Sequence, residues 1–159
     1  ITRYIRMSTL LRPAESAVFL SGRTLKPMSC VYLLAADKEL PLVNCREYRV
    51  KTVGKTEIGV EAGFQVAPHQ YYRRSVDELG YPMKHYQYEL SLEAGEKDLD
   101  SLKQYLIGHF SPGESVELWH LWVGEHSRLV RCHGGLSEFD MDTLRQFLDT
   151  EQACFTVTI

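Results

Sequence analysis

The strongest constraint on the fold is the order of amphipathic segments in the second half of the chain. Two segments alternate apolar and polar side chains, the period of a half-buried strand, and two repeat apolar residues at helical spacing. A turn at Gly124-Glu125-His126-Ser127 separates two further strand-like runs. The predicted elements are a strand at 84–92, a helix at 96–110, strands at 115–123 and 128–133, a helix at 138–150 and a strand at 153–159.

This strand, helix, strand, strand, helix, strand order is typical of the ferredoxin-like fold. Its antiparallel sheet carries two helices on one face and leaves the other face open. Asp98 and Asp140 are predicted to cap the two helices. The sequence therefore predicts an α+β protein whose C-terminal half, residues 83–159, is ferredoxin-like. Because that fold hosts many unrelated functions, it does not select one.

The alternation of apolar and polar residues predicts that residues 1–67 form a β-rich N-terminal region with one hairpin, 46–66. A three-residue loop, 54–56, places the apolar residues of both hairpin strands on one face. A two-residue loop would send them to opposite faces, so we expect the longer loop. Residues 30–36 predict a more buried strand, and residues 13–20 are compatible with a short helix or a strand.

A linking helix is predicted at 68–82. Pro68 suits a first helical position, apolar residues follow at helical spacing, and Gly80 and Pro82 end the pattern. The predicted organisation is thus an N-terminal region, 1–67, a linking helix, 68–82, and a C-terminal unit, 83–159. No repeat or low-complexity segment marks a sharp boundary, so one continuous domain remains an alternative.

The charge balance argues against nucleic acid as a partner. The chain has 18 Lys+Arg against 21 Asp+Glu and a net charge of −3, whereas nucleic-acid-binding domains carry a basic stripe. The nearest basic cluster is Arg3, Arg6 and Arg12. RNA-binding modules of the predicted fold need exposed aromatic residues on their central strands, and 128–133 has none. The longest apolar run, 30–36, is far shorter than a membrane span, so no membrane association is predicted.

The four cysteines, Cys30, Cys45, Cys132 and Cys154, include no Cys-x-x-Cys pair. The spacing of zinc and thioredoxin-type sites is therefore missing, and we expect ordinary buried thiols. A chain without dense cysteines or a secretory leader predicts a cytoplasmic location. Motifs for phosphate binding, serine hydrolysis and zinc proteolysis are also absent, so no family is recognised and no cofactor is predicted.

A candidate binding patch follows from the predicted hairpin between 115–123 and 128–133. Pairing Val123 with Arg128 turns Trp119 and Leu121 toward the helices and exposes the alternate residues. In a ferredoxin-like sheet the strand at 84–92 lies next to 128–133 and adds its polar face. The predicted patch consists of His85, Glu89, Leu118, His120, Trp122, Arg131 and His133.

Two functions fit this patch. The favoured one is a small non-catalytic binding protein that uses the open sheet face for protein–protein association or for self-association as a dimer, with Trp122 and Leu118 as apolar anchors. The alternative is an enzyme with a His/Glu/Arg site between the N-terminal hairpin and the C-terminal sheet. Metal is not predicted; if the patch held one, its ligands would be His120, His133 and His85. A third arrangement, in which the N-terminal hairpin covers the face, would bury part of the patch.

Overall fold

The computed structural model describes residues 19–20, 23–24, 29–124 and 127–159. These residues form an α+β structure with three α-helices and a mostly antiparallel sheet. The helices are α1 (Arg73–Asp77), α2 (Glu96–His109) and α3 (Met141–Asp149). The strands are β1 (Phe19–Leu20), β2 (Arg23–Thr24), β3 (Ser29–Ala36), β4 (Val43–Asn44), β5 (Glu47–Val53), β6 (Thr56–Ala62), β7 (Gln65–Pro68), β8 (Tyr86–Ser91), β9 (Ser115–Val123), β10 (Val130–Gly135) and β11 (Ala153–Thr158).

Some sequence predictions fall outside the described residues. They are the basic cluster Arg3, Arg6 and Arg12, most of the undecided segment 13–20, and the turn residues Glu125 and His126. Only the end of segment 13–20 is described, as β1, which pairs with β2.

The main sheet has seven strands in the order β10-β11-β9-β3-β8-β7-β4. Neighbours in this sheet run antiparallel except β10 and β11, which run parallel. The pair β5 and β6 forms a separate two-stranded sheet. Strands from both halves of the chain therefore contribute to one sheet.

The six elements predicted between residues 84 and 159 are all present, but their predicted pairing is wrong. β9 and β10 do not form a hairpin, because β11 lies between them and pairs with both. β8 does not lie beside β10, because β3 enters between β8 and β9. The periodicity of a segment's own side chains identifies it as a strand. Which strands lie next to it in the sheet depends on how all the strands of the chain pack together, and that is decided only in the folded protein.

The strand β3 is buried on both of its faces. Val31 through Ala36 are each at most 1% exposed. Tyr32 and Leu34 pack with residues of α2 and α3, whereas Val31 and Leu33 pack with residues of α1 and of the segment that follows it. The prediction of a deeply buried strand at 30–36 is confirmed, and its apolar residues on both faces explain its central position.

The sheet is covered on two sides by different elements. We call the side covered by α2 and α3 the helix-pair side, and the opposite side the α1 side. Leu102 and Leu106 of α2 and Leu144 and Leu148 of α3 are buried on the helix-pair side. Both helices thus cover one face, as predicted, while the central strands of the other face are covered by α1 and the segment 79–83.

The predicted orientation of β9 is wrong. Val116 and Leu118 face the helix-pair side, whereas Trp119, Leu121 and Val123 face the α1 side. Both sets are buried, because β9 is a central strand. Alternation cannot identify the inward face of a strand that is apolar on both faces, so the pattern carried no information on this choice.

The predicted register of the hairpin is also wrong. Val53 pairs with Thr56, so the loop is the two-residue Gly54-Lys55, with Gly54 at φ 65°. Val50 consequently lies opposite Gly59, and the apolar residues divide between the two faces. The hairpin does not bury an apolar face against the core, so dividing its apolar residues between two faces costs little burial. The geometry of the turn therefore decides the register.

Two local predictions need correction as well. The linking helix spans only the five residues of α1, and Pro68 ends β7 instead of beginning a helix. Gly95, not Asp98, occupies the N-cap of α2, whereas Asp140 caps α3 as predicted by accepting a bond from the Thr143 N–H. A helix needs about 12 residues to be stable by itself, so a short α1 depends on packing of Tyr72 and Val76 against the sheet.

Replacing Leu118 with Ala tests the corrected orientation of β9. Leu118 is 1% exposed, so truncation leaves a cavity and should lower the free energy of unfolding by about 2–5 kcal/mol. The matched control, Ile107→Ala on the exposed surface of α2, should change it by less than about 0.5 kcal/mol. Urea unfolding followed by circular dichroism measures both, and an equally small change in the two variants would contradict the buried orientation.

Candidate functional site

The seven residues of the predicted patch lie on two opposite sides of the sheet. Leu118 and His120 are on the helix-pair side, each 1% exposed, and Trp122 follows them there, half-buried. Arg131 pairs with Cys154, which packs on the α1 side. The open face that these residues were predicted to share is therefore not formed.

The polar members on the α1 side are also far apart. Glu89 lies on β8 and pairs with Leu33, whereas His133 lies on β10 at the edge of the sheet. Four strand spacings separate β8 from β10, which is about 19 Å. His85 is exposed just before β8. The structure thus does not bring together the glutamate, arginine and histidines of the predicted enzymatic site.

The three histidines considered as metal ligands, His85, His120 and His133, are separated in the same way. His120 is buried on one side of the sheet, whereas His85 and His133 are exposed elsewhere. Within residues 29–124 and 127–159, no group of three or more His, Cys, Asp or Glu side chains is arranged to hold a metal ion. The three histidines do not form a joint ligand set.

His120 lies in a tightly packed aromatic environment. Its ring stacks on Tyr32, with centroids 4.7 Å apart, and contacts the edge of Phe147 at 6.0 Å. Nδ1 lies 3.2 Å from the carbonyl oxygen of Phe147, and Nε2 lies 2.7 Å from Sγ of Cys30. Burial lowers the pKa of His120 despite the opposing effect of the backbone carbonyls of Phe147 and Thr150, so the imidazole is neutral at neutral pH.

Trp122 has a structural partner that the sequence did not reveal. Its backbone N–H donates to Oε1 of Gln152 at 2.8 Å, and Nε2 of Gln152 donates back to its carbonyl at 3.2 Å. Gln152 is 1% exposed. This side chain replaces a strand partner for the backbone at the end of β9.

The cysteines are not all buried, in contrast to the prediction. Cys154 is buried, Cys30 is half-buried, and Cys45 and Cys132 are exposed. Burial, with the nearby carboxylate of Glu117, raises the pKa of the Cys154 thiol to about 12. Cys30 alone among these four lies within hydrogen-bond distance of a described histidine.

Four of the nine large apolar side chains that are exposed among the described residues lie on the β5–β6 hairpin, which we call the arm (residues 47–62). Tyr48 is 72% exposed, Val50 59%, Val53 52% and Ile58 43%. The register divides the arm into two faces. The outer face consists of Tyr48, Val50, Thr52, Glu57, Gly59 and Glu61, all of them exposed.

Tyr48 lies across the outer face of the arm. A Cβ atom at Gly59 would be 1.7 Å from the Tyr48 hydroxyl, so the ring occupies the space above that glycine. An aromatic ring over a strand glycine covers backbone that would otherwise be open to water. Glycine at position 59 is therefore required for this placement of the Tyr48 ring.

Ion pairs attach the opposite face of the arm to the body of the protein. Arg49 donates to Glu93 at 2.9 Å and to Asp98 at 3.2 Å, and Lys51 also bonds Glu93. Lys97 of α2 donates to Glu47 at 2.7 Å. The arm is thus held at its base by residues of the β8–α2 loop and of α2.

The ion pairs of Arg49 also affect its pKa. Desolvation alone would lower the pKa of Arg49, but hydrogen bonds to Glu93 and Asp98 raise it above the ordinary value. Asp98 is 3% exposed and also accepts the Glu93 backbone N–H at 2.7 Å. Asp98, predicted as a helix cap, therefore acts as a buried acceptor for the arm.

A cleft of about 530 Å³ lies beside the arm. Phe64 and Cys45 line one part, and Lys97, Ser101 and Tyr105 of α2 line another. It includes none of the seven residues of the predicted patch. Sequence patterns did not indicate this cleft, because its walls come from segments about 50 residues apart.

On the α1 side, the core contains the polar residues His69 and Glu117. His69 is 3% exposed, and neither ring nitrogen has a hydrogen-bond partner among the described residues. Burial, then the charge of Arg73, lowers its pKa against the opposing effect of Asp77. Glu117 is satisfied, since it accepts the Lys84 backbone N–H at 2.6 Å and holds the segment before β8 on the sheet. His69 is a polar core residue that no sequence pattern distinguished.

No known protein family, curated protein or solved structure matches this chain. Among the helices of the described residues, none has the length and apolar character needed to cross a membrane. The geometry itself is therefore the basis for assigning a function.

We predict that the two buried histidines, His69 and His120, make the folded protein less stable in acid. Burial lowers the folded-state pKa of His69 and His120 below the ordinary 6.5, so the unfolded chain binds more protons below that pH. The free energy of unfolding should be highest above about pH 6.5 and fall as the pH decreases from there toward the folded-state values. Urea unfolding between pH 7.5 and pH 5 measures this dependence.

The variant His69→Leu separates the contribution of His69 to the pH dependence of stability from the contributions of other titratable groups. Because the ring has no hydrogen-bond partner among the described residues, the variant should fold and show a weaker dependence of stability on pH. His133→Leu, at an exposed position, is the matched control and should keep the native dependence. A native pH dependence in His69→Leu would show that His69 is not buried in its neutral form.

Proposed function

We propose that this protein is a non-catalytic binding protein that uses the arm to associate with another protein. The observation that carries the proposal is the exposure of Tyr48 and Val50, at 72% and 59%, on the outer face of the arm. Exposed aromatic and β-branched side chains on a hairpin with open strand edges are typical of an interaction surface. The proposal keeps the function class predicted from the sequence but moves its surface from the sheet face to the arm.

The backbone of the arm supports binding by strand addition. β5 and β6 pair with each other, and no other described strand pairs with either of them. A two-stranded hairpin is only marginally stable by itself, and an exposed strand edge is a template for a further strand. A partner segment in extended conformation would gain backbone hydrogen bonds along the edge of β6 and side-chain contacts on the outer face.

The arm is also prepared for binding by its attachment. Arg49 contacts Glu93 and Asp98, and its side chain is only 23% exposed. An arm held in place loses less conformational freedom on association than a mobile one. These ion pairs occupy the face toward the body, so the outer face remains for a partner.

The charges favour a different protein over a second copy of this chain. Consider an antiparallel pair between β6 and the β6 strand of a second copy, with all seven residues paired. Gly59 then lies at the centre, and Glu57 of one copy lies opposite Glu61 of the other. The equivalent pairing of β5 centres on Val50 and places Arg49 opposite Lys51. Like charges directly opposite each other destabilise a strand pair.

The partner that fits is an extended segment with basic and apolar side chains. Glu57 and Glu61 lie on β6 on the same face as Tyr48 and Val50. The ion pair that Glu61 makes with Arg46 is long, at 3.9 Å, and the Glu61 side chain is 67% exposed. Lys or Arg residues of the partner would face these glutamates, while its apolar residues would cover Tyr48 and Val50.

A synthetic peptide that alternates Lys with Val and Thr tests this specificity. We expect it to shift the NMR amide signals of β6, to bind more weakly as salt is added, and to bind more tightly than the same peptide with Glu in place of Lys. Equal binding of the two peptides, or shifts confined to residues outside the arm, would contradict the proposal.

Charge reversal provides the matched comparison. Glu57→Lys with Glu61→Lys should weaken binding of the basic peptide by at least about tenfold, or about 1.4 kcal/mol. Asp77→Lys with Glu78→Lys makes the same charge change on the exposed surface of α1 and should have a much smaller effect. A dimer in solution that is lost on Tyr48→Ser would instead show that a second copy occupies the arm.

A further inference from the structure

The contacts of His120 determine which of its nitrogens faces Cys30 as an acceptor. Nδ1 lies 3.2 Å from the Phe147 carbonyl oxygen, and a carbonyl only accepts hydrogen bonds. Nδ1 therefore carries the proton in the neutral imidazole, and Nε2 presents its lone pair to Sγ of Cys30 at 2.7 Å. The thiol donates its proton toward a nitrogen that is oriented to receive it.

The surroundings keep the pair in this arrangement. Stacking on Tyr32 and the contact with Phe147 restrain the imidazole plane. His120 is 1% exposed, whereas Cys30 is half-buried, so the base is shielded while the cysteine is not fully enclosed. A nucleophile next to an oriented base, itself held by a third group, is the arrangement that activates thiols.

The other cysteines provide a contrast within the same chain. Cys154 is 1% exposed and lies 3.8 Å from a carboxylate oxygen of Glu117, which disfavours the thiolate. Cys45 and Cys132 are exposed, and no described histidine lies within hydrogen-bond distance of either. Cys30 therefore has a chemical environment that the other three do not share.

We propose that Cys30 is a reactive thiol, activated by His120, that exchanges with small disulfides. The thiol proton moves to Nε2 of His120 as the sulfur attacks one sulfur of the disulfide. The S–S bond of the reagent breaks, a bond forms between Cys30 and the attacked sulfur, and the departing thiolate takes the proton from the imidazolium. The products are a mixed disulfide on Cys30 and one free small thiol, so no other oxidant is needed.

The pH dependence of the exchange follows from the base. Among the described residues, Cys30 and Tyr32 from β3 contact the imidazole, and Asp149 and Glu151 near the end of α3 act on it through their charge. Because burial lowers the pKa of His120 below the ordinary value, the base stays available at a lower pH than an ordinary histidine would, whereas an ordinary thiol with a pKa of about 8.5 is almost fully protonated there. The reaction should therefore persist at pH 6.

The test follows the reaction of the Cys45→Ser, Cys132→Ser protein with dithiodipyridine at pH 6, which releases a coloured thiopyridone. Peptide mapping identifies Cys30 as the modified residue. We expect Cys30 in the folded protein to react at least about tenfold faster than in the urea-unfolded chain, since general base catalysis contributes about 100-fold or more. Slower reaction in the folded protein would show a merely buried thiol and overturn the proposal.

His120→Asn is the matched variant. The Asn amide can still donate to the Phe147 carbonyl, but it lacks the nitrogen that faces Cys30. Reaction at pH 6 should fall by at least about tenfold, and the rate should then rise with pH as for an ordinary thiol. An unchanged rate in a folded His120→Asn protein would overturn the role of His120, and the comparison of folded with unfolded native protein tests the proposal even if this variant does not fold.

Discussion

The burial of β3 on both faces is the constraint on which the rest of the structure depends. A strand that is apolar on each side must pair with a neighbour along both edges and be covered on both faces, because otherwise its backbone groups or its side chains would remain exposed. β8 and β9 supply the edges, the helices α2 and α3 cover one face, and α1 with the following segment covers the other. The strand from the first half of the chain thereby separates two strands of the second half, and it prevents the pairing that the second half would be expected to form alone.

Covering both faces of the sheet leaves the arm as the main exposed apolar surface of the described residues. The arm does not pack its apolar residues against the core, so its position relies on the ion pairs of Arg49 with Glu93 and Asp98. Partly buried ion pairs of this kind orient an element more than they stabilise it, since desolvation offsets much of their attraction. That balance suits a projecting element whose exposed side chains are proposed to meet a partner.

The central position of β3 also accounts for the Cys30–His120 pair. Tyr32 lies opposite His120 and Cys30 lies opposite Trp122, so the pairing of β3 with β9 brings the thiol and the imidazole to adjacent positions on the helix-pair side. α3 then supplies the Phe147 carbonyl that orients the ring. The proposed reactivity of Cys30 and the proposed binding by the arm rest on different residues, so either can hold without the other.

The sequence by itself determined the strands and helices between residues 84 and 159, the burial of β3, and that Asp140 caps α3, because side-chain periodicity and capping are local properties. It also indicated a hairpin near residue 54, though not its register. Only the tertiary structure decided the neighbours of each strand, the inward face of β9, and the grouping of Cys30 with His120. The physical reason is that a strand apolar on both faces has no preferred orientation of its own, and 90 residues separate Cys30 from His120 in the chain, so these choices are made only when distant segments pack together.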